Sequence, residues 1–229
     1  MSKSISLITL AQPMRYGEAL DLQRAHGARL ERDADCVATL ILLQHAPVYT
    51  LGRKTQQGHL LCSPQELAGR TGAEVVETDR GGSVTYHGPG QLTAYLILNL
   101  RAWKLTIHEH LDRLEQAAVL TLGRFGIAGH REEGMTGVWV EWGDPPDRRS
   151  EKICAIGVSV RKWVTYHGLS LNVDLDLKPF YEVVPCGLPG KGVTSMARVL
   201  GRPVPMNDVE AAMGAAFGEV YGAAVTPEA

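Results

Sequence analysis

Cysteine is scarce in this chain of 229 residues. There are four, Cys36, Cys62, Cys154 and Cys186, and no two form a C-x-x-C pair. Neither a zinc knuckle nor a disulfide scaffold is indicated. Long apolar runs are missing too. The longest, Val37 to Leu43 with Thr39 inside it, is far shorter than the ~20 residues of a membrane-spanning helix. There is no excess of positive charge: 23 basic against 25 acidic residues gives −2, which excludes a strongly basic nucleic-acid binder judged by bulk charge. The start, Met1-Ser2-Lys3-Ser4-Ile5, lacks the basic opening and apolar block of a signal peptide. The expectation is a soluble cytoplasmic protein with reduced thiols and no partner in nucleic acid or membrane.

Apolar residues make up 45% and charged residues 21%, an ordinary globular balance that excludes wholesale disorder. At ~150 residues per domain the length allows one large or two small domains. No linker or low-complexity stretch divides the chain, so 1–229 reads as a single domain.

Ile5 to Leu10, Cys36 to Gln44, Ala73 to Glu77 and Leu92 to Leu100 read as strands, and Arg15 to Arg32 as a helix. Ser63 and Pro64 predict a short helix to Arg70. Thr106 and Glu109 form a capping box. Ile107, Leu111, Leu114, Ala118, Leu122 and Phe125 then give one apolar helical face to Phe125. Gly137 to Trp142, Ile153 to Val160 and Val164 to Asn172 read as strands, the last two joined by a tight turn around Arg161-Lys162. Asp144 to Ser150 reads as a loop. A final helix runs from Met206 to about Tyr221, and Thr226 to Ala229 is expected to fray. Grouped strands with long helices between them predict an α+β sandwich with a mixed β-sheet and packed helices.

Many of the 25 glycines sit in two short stretches. In Arg80-Gly81-Gly82-Ser83-Val84-Thr85-Tyr86-His87-Gly88-Pro89-Gly90-Gln91, five of twelve positions are Gly or Pro. A turn between strands needs two to four such residues. Twelve positions mixing glycine with Arg80, Tyr86 and His87 point to a binding loop, where the backbone approaches a ligand closely. The phosphate-binding G-x-x-x-x-G-K-[ST] and G-x-G-x-x-G patterns do not occur in it. Val84-Thr85-Tyr86-His87-Gly88 recurs as Val164-Thr165-Tyr166-His167-Gly168. Either strand-forming residues coincide, or two strand ends converge on one pocket, the reading favoured here.

Cys186 lies between Pro185 and Gly187 in Val183-Val184-Pro185-Cys186-Gly187-Leu188-Pro189-Gly190. It reads equally as a small buried residue and as a nucleophile presented by a loop. The other three cysteines read as core. A thiol with a reference pKa of about 8.5 needs a basic or cationic neighbour to ionise near neutrality. Lys152, opening Lys152-Ile153-Cys154-Ala155-Ile156-Gly157, is a candidate, although a lysine at a strand edge is more often solvated. His108 and His110 point in different directions on their helix, H-E-x-x-H and G-x-S-x-G are absent, and no metal site is expected.

Taken together, these motifs resemble the lipoyl (octanoyl) transferases. Arg80-Gly81-Gly82 with Thr85-Tyr86-His87-Gly88-Pro89-Gly90-Gln91-Leu92 is similar to their signature. Lys152 to Val158 looks like their lysine motif, and His167 to Val173, Pro185-Cys186-Gly187 and Val193-Thr194-Ser195-Met196 match further ones in family order. Ser83 stands where a larger polar residue is expected, and the Asp144 to Ser150 loop is lengthened. The resemblance implies the α+β fold shared by biotin and lipoate ligases. It implies transfer of octanoyl from octanoyl-acyl carrier protein to a lysine of lipoyl domains, those of 2-oxoacid dehydrogenases and the glycine cleavage H protein, with no cofactor. By motif, Cys186 is the acyl-accepting nucleophile and Lys152 its base. Arg80, Gly81, Gly82, Ser83, Val84, Thr85, Tyr86 and His87, with Ala155, Ile156 and Gly157 and with Gly168, Leu169 and Ser170, line the acyl pocket.

Three rivals stand beside it: an ATP-dependent lipoate or biotin ligase needing no Cys186, a cysteine thioesterase, and a non-catalytic acyl-carrier or lipoyl-domain binding protein. Acidic partners would call for a local basic patch, with Arg148, Arg149, Arg161 and Lys162 as candidates for part of it.

Overall fold

A computed structural model describes residues 3–32, 37–143, 148–184 and 191–228. The first half runs β1 (Ser4–Thr9), α1 (Tyr16–Arg32), β2 (Val37–Leu43), β3 (Val48–Leu51), α2 (Pro64–Thr71), β4 (Glu74–Glu77), β5 (Val84–His87), β6 (Gln91–Ile97) and α3 (Leu100–Trp103). The second runs α4 (Ile107–Gly123), β7 (Gly129–Glu132), β8 (Met135–Trp142), β9 (Arg149–Arg161), β10 (Val164–Asn172), a 3-10 turn (Lys178–Glu182), β11 (Gly192–Val193), α5 (Met196–Leu200), α6 (Met206–Tyr221) and β12 (Ala224–Pro227).

The large sheet has the order β12-β1-β2-β6-β10-β9-β8-β7, with β11 beside β9. Pairing is parallel at β12-β1-β2 and β11-β9 and antiparallel elsewhere, so the sheet is mixed. Its central strands are buried on both faces, and the alternation explains how. Leu40 and Leu42 of β2 and Leu92, Ala94 and Leu96 of β6 join the core with Leu114, Ala118 and Leu122 of α4 and Phe217 of α6. Ile41, Leu43, Tyr95 and Ile97 turn to the other face, against Ala19 and Leu30 of α1. A three-stranded sheet, β4-β3-β5, packs around its own cluster of Tyr49, Leu67, Tyr86 and Phe180.

Local signals are obeyed where expected. Ser63 and Thr106 each accept from the backbone N–H three residues on, and Glu66 and Glu109 complete both capping boxes. The β9-β10 turn places Lys162 at φ 46° and Trp163 at φ 71°, the left-handed pair that matches hairpin twist.

Two expectations are corrected. The strand predicted to Leu100 ends at Ile97, because the Asn99 side chain accepts from the N–H groups of Arg101 and Ala102 and starts α3. The C-terminal segment does not fray through Thr226: β12 pairs with β1, and the Glu228 N–H donates to the Leu7 carbonyl at 2.8 Å. That pairing covers an edge that β1 would otherwise leave open. Among the described residues no helix is long and apolar enough to cross a membrane.

Candidate active site

A cavity of about 800 Å³ opens between the small sheet, the β9-β10 hairpin and α4. That lies within the usual ~300–1,000 Å³ of ligand sites. One wall is the segment Arg80, Gly81, Gly82, Ser83, Val84, Thr85 and His87; a second is Lys152 with Ala155, Ile156 and Gly157; a third is His167, Gly168, Leu169 and Ser170. The two copies of the repeated pentapeptide therefore meet at one cavity, through His87 on β5 and His167 on β10.

Tyr86, expected in the pocket, is corrected. It is not among the residues that line the cavity. On a strand neighbouring side chains take opposite faces. Its ring packs 5.1 Å from Tyr49 and 5.8 Å from Phe180, in the core of the small sheet. Cys186 lies outside the described residues. Its described flanks are anchored at the cavity: the Val184 N–H donates to the carbonyl of His59, a lining residue, and Val193 pairs with Lys152.

The glycine-rich segment seats directly on β9. The Gly81 N–H donates to the Val158 carbonyl at 2.9 Å, and a Cβ at Gly157 would stand 2.6 Å from the Gly81 carbonyl oxygen. Arg80 is drawn in beneath it, with Nε and Nη2 donating to Thr50 Oγ1 at 3.1 and 2.7 Å.

From Arg80 a chain of hydrogen bonds crosses the site. Gln91 donates its Nε2 to the Tyr86 carbonyl and to Asn172 Oδ1, so its Oε1 accepts from His87 Nδ1 at 2.7 Å. That leaves His87 Nε2 to accept from the Thr50 hydroxyl at 3.3 Å. Asn172 donates to the Thr194 carbonyl, and the Thr194 N–H donates to the carbonyl of Lys152. Arg80, His87, Gln91, Asn172 and Thr194, scattered over the sequence motifs, are thus links in one polar chain ending at Lys152. Burial, then the nearby His45 and Arg80, push the His87 pKa well below its ordinary value, so the ring is neutral at pH 7. His45 behind it is lowered to about 4 by burial.

Lys152 is buried, 6% exposed, rather than solvated at an edge. A register slip explains its placement: Trp139 pairs with Lys152 but Val138 with Cys154, leaving Ile153 as a bulge. Lys152 Nζ donates to the Thr136 carbonyl at 2.9 Å and lies 4.7 Å from the Trp139 ring centre. Neighbouring Cys154 is fully buried, and burial pushes its thiol up, which fits a core cysteine.

Sequence reading missed several wall residues. Tyr16, His59, Tyr95, Ile107 and Leu111 also line the cavity. Ile107 and Leu111 belong to the apolar face expected of α4, whose N-terminal end faces the cavity while Leu114, Ala118 and Leu122 face the core. Asp79 was missed as well. It receives His167 Nε2 at 2.7 Å, and that bond, against some desolvation, holds its carboxyl down at about 2. The expected basic patch divides. Arg149 and Arg161 stand at opposite ends of β9, 13 residues long, or roughly 40 Å. Arg148 pairs with Glu141, and Arg161 and Lys162 both pair with Glu31.

The lipoyl protein ligase A/B catalytic domain matches residues 15–218. A protein named octanoyltransferase from Chloroflexus aurantiacus is 44% identical over 207 residues, covering 90% of this chain and 89% of its own. Among solved structures, the bi-partite lipoate protein ligase of Thermoplasma acidophilum superposes with a TM-score of 0.73 at 16% identity, covering 100% of this chain and 87% of that one. The biotin protein ligase of Aquifex aeolicus, in complex with biotin and ATP, gives 0.53 at 11% identity over 95% and 70%. At such identities the likeness speaks to fold alone, and it bears out the expected ligase-like α+β sandwich.

Proposed function

The chain belongs to the lipoyl protein ligase A/B catalytic-domain family, and from that premise we propose that it is an acyltransferase, carrying octanoyl from octanoyl-acyl carrier protein to a lysine of a lipoyl domain. Residues 1–229 act as one catalytic domain. The acceptors are the lipoyl domains of 2-oxoacid dehydrogenases and the glycine cleavage H protein. The observation that carries the reading is the relative named octanoyltransferase, 44% identical along nine-tenths of the chain. A ligand-sized cavity with a buried lysine in its wall supports it.

Cys186 is the nucleophile. Its thiolate attacks the donor thioester carbonyl, the carrier thiolate leaves and takes up a proton, and a new thioester joins octanoyl to the enzyme. One thioester replaces another, so the step is nearly balanced in energy. The acceptor amine then attacks that carbonyl, Cys186 leaves as thiolate, and the amide forms downhill. No ATP is consumed, and two half-reactions predict ping-pong kinetics. With a pKa near 10.4, only about one acceptor amine in 2,500 is neutral at pH 7. Lys152 takes the proton that the attacking nitrogen gives up. Cys186 is two residues beyond Val184, whose N–H is held by a residue of the cavity wall.

The octanoyl chain lies in the cavity against Ile107, Leu111, Ile156 and Leu169. Each methylene buried there is worth about 0.8 kcal/mol, so discrimination between neighbouring chain lengths is graded.

The test is the intact mass after mixing with octanoyl-acyl carrier protein, without ATP. One octanoyl increment is expected on the wild type and none on Cys186→Ser, and a lipoyl domain should clear it while gaining the same mass. Acylation only with ATP and free octanoate would mean a ligase and would sink the reading. Lys152→Ala should fold normally and cut transfer by roughly two orders of magnitude or more.

A further inference from the structure

Lys152 Nζ donates to the carbonyl of Thr136. That carbonyl belongs to the peptide unit joining Thr136 to Gly137, which is planar and points its C=O and N–H in opposite directions. The N–H of the same unit donates to Glu115 Oε1 at 2.9 Å. One rigid plane is therefore pinned at both ends, by a carboxylate on one side and by the lysine amine on the other.

Glu115 is placed to accept from this N–H. It lies on α4 one turn beyond Leu111 and two beyond Ile107, both in the cavity wall. It is 8% exposed, an expensive position for a carboxylate unless every oxygen is satisfied. Its second oxygen meets Arg131 Nε at 3.2 Å. The backbone at the other end is equally specific. Gly137 has φ 124°, a conformation side chains rarely adopt. A Cβ there would stand 2.6 Å from the Cys154 carbonyl and 3.4 Å from Lys152 Nζ. This backbone conformation falls next to the carbonyl that the lysine takes as acceptor.

We infer that Glu115 is a positioning residue: it holds the Thr136–Gly137 peptide so that its carbonyl fixes Lys152 Nζ in the cavity. This rests on the role proposed for Lys152. Losing the carboxylate lets the peptide plane rotate and the amine drift, and a displacement of about 1 Å at a reacting group can cost up to ~100-fold in rate.

The experiment measures steady-state octanoyl transfer by the full chain, wild type and Lys152→Ala, each with Glu115 intact or replaced. Glu115→Ala should lower kcat by about 10- to 100-fold, with kcat/KM for the octanoyl donor unchanged because the lysine acts in the second half-reaction. Glu115→Gln keeps an oxygen for the Gly137 N–H and should restore most of the rate. In the Lys152→Ala background Glu115→Ala should cost nothing further, because the two act as a unit. Should Glu115→Ala fail to fold, Glu115→Asp takes its place: it keeps the charge beside Arg131 but withdraws the carboxylate from Gly137, and the same fall in kcat is expected. Full kcat in the Ala or Asp variant, an equal loss with and without Lys152, or a Gln variant as slow as Ala would each overturn the inference. Wild-type turnover by Lys152→Ala alone is a separate result; it would overturn the role of the lysine itself and this inference with it.

Discussion

The same five residues, Val-Thr-Tyr-His-Gly, form β5 and open β10 beside the cavity and do different things there. In the β5 copy, Tyr86 is core and His87 is a link in a chain of neutral side chains and one guanidinium. In the β10 copy, the Tyr166 hydroxyl donates to Glu31, and His167, at φ 62°, faces the carboxylate of Asp79. Even the glycines differ. The atoms nearest a Cβ on Gly88 would be those of the Tyr86 side chain, whereas one on Gly168 would strike the carbonyl of Ala94 in β6. Local sequence made both segments strands; their chemistry came from what each was packed against.

The largest effect expected from this contrast is on stability. Gly168→Ala drives a methyl into the backbone of a central strand and should cost about 3 kcal/mol. Gly88→Ala can be relieved by a shift of the Tyr86 ring and should cost about 1 kcal/mol. Urea unfolding of the two variants measures the difference, and equal losses would break the comparison.

A second contrast is in acid. His87 and His45 are held below their unfolded value of about 6.5, so their burial stabilises fully above that pH and less as pH falls below it, for His45 toward about 4. Asp79, lowered to about 2, stabilises above its unfolded value of about 3.9 and loses its contribution as pH falls toward 2. The melting temperature should therefore decline in two windows. His87→Gln should flatten the slope that sets in below pH 6.5, and Asp79→Asn only the slope below 4. An unchanged upper slope in the His87 variant would show that the two copies do not differ in this way.

The smallest effect separates the tyrosines. Tyr166→Phe loses the bond to Glu31 and should cost about 0.5–1 kcal/mol. Tyr86→Phe should change stability by a few tenths at most, because the Tyr86 hydroxyl has no hydrogen-bond partner among the described residues. Melting curves of the pair decide it, and equal shifts would mean that Glu31 adds nothing.

Much of the fold was legible because its signals are local. The capping boxes at Ser63 and Thr106 and the apolar stripe of α4 depend on residues within one or two turns. The end of β6 at Ile97, set by the Asn99 cap, and the pairing of β12 were not legible. The first depends on a side chain competing with the strand ladder, the second on a partner strand more than 200 residues away. Within the candidate site, the glycine-rich wall was readable from composition. Tyr86 was misassigned because a motif does not say which way each side chain of a strand turns. Glu115, Asp79 and Thr50 went unremarked because each matters through a contact with a distant segment.

The sequence alone determined the family motifs, the candidacy of Cys186 and Lys152, the helix starts and the absence of a phosphate-binding loop, because these are matters of residue type and short spacing. The tertiary structure decided that Lys152 is buried, that one His-Gly pair answers a carboxylate and the other an amide, and that Arg80 is tied to Lys152 through five other residues. Those are properties of burial and of hydrogen bonds between strands far apart in the chain, and they exist only once the sheets have closed around the cavity.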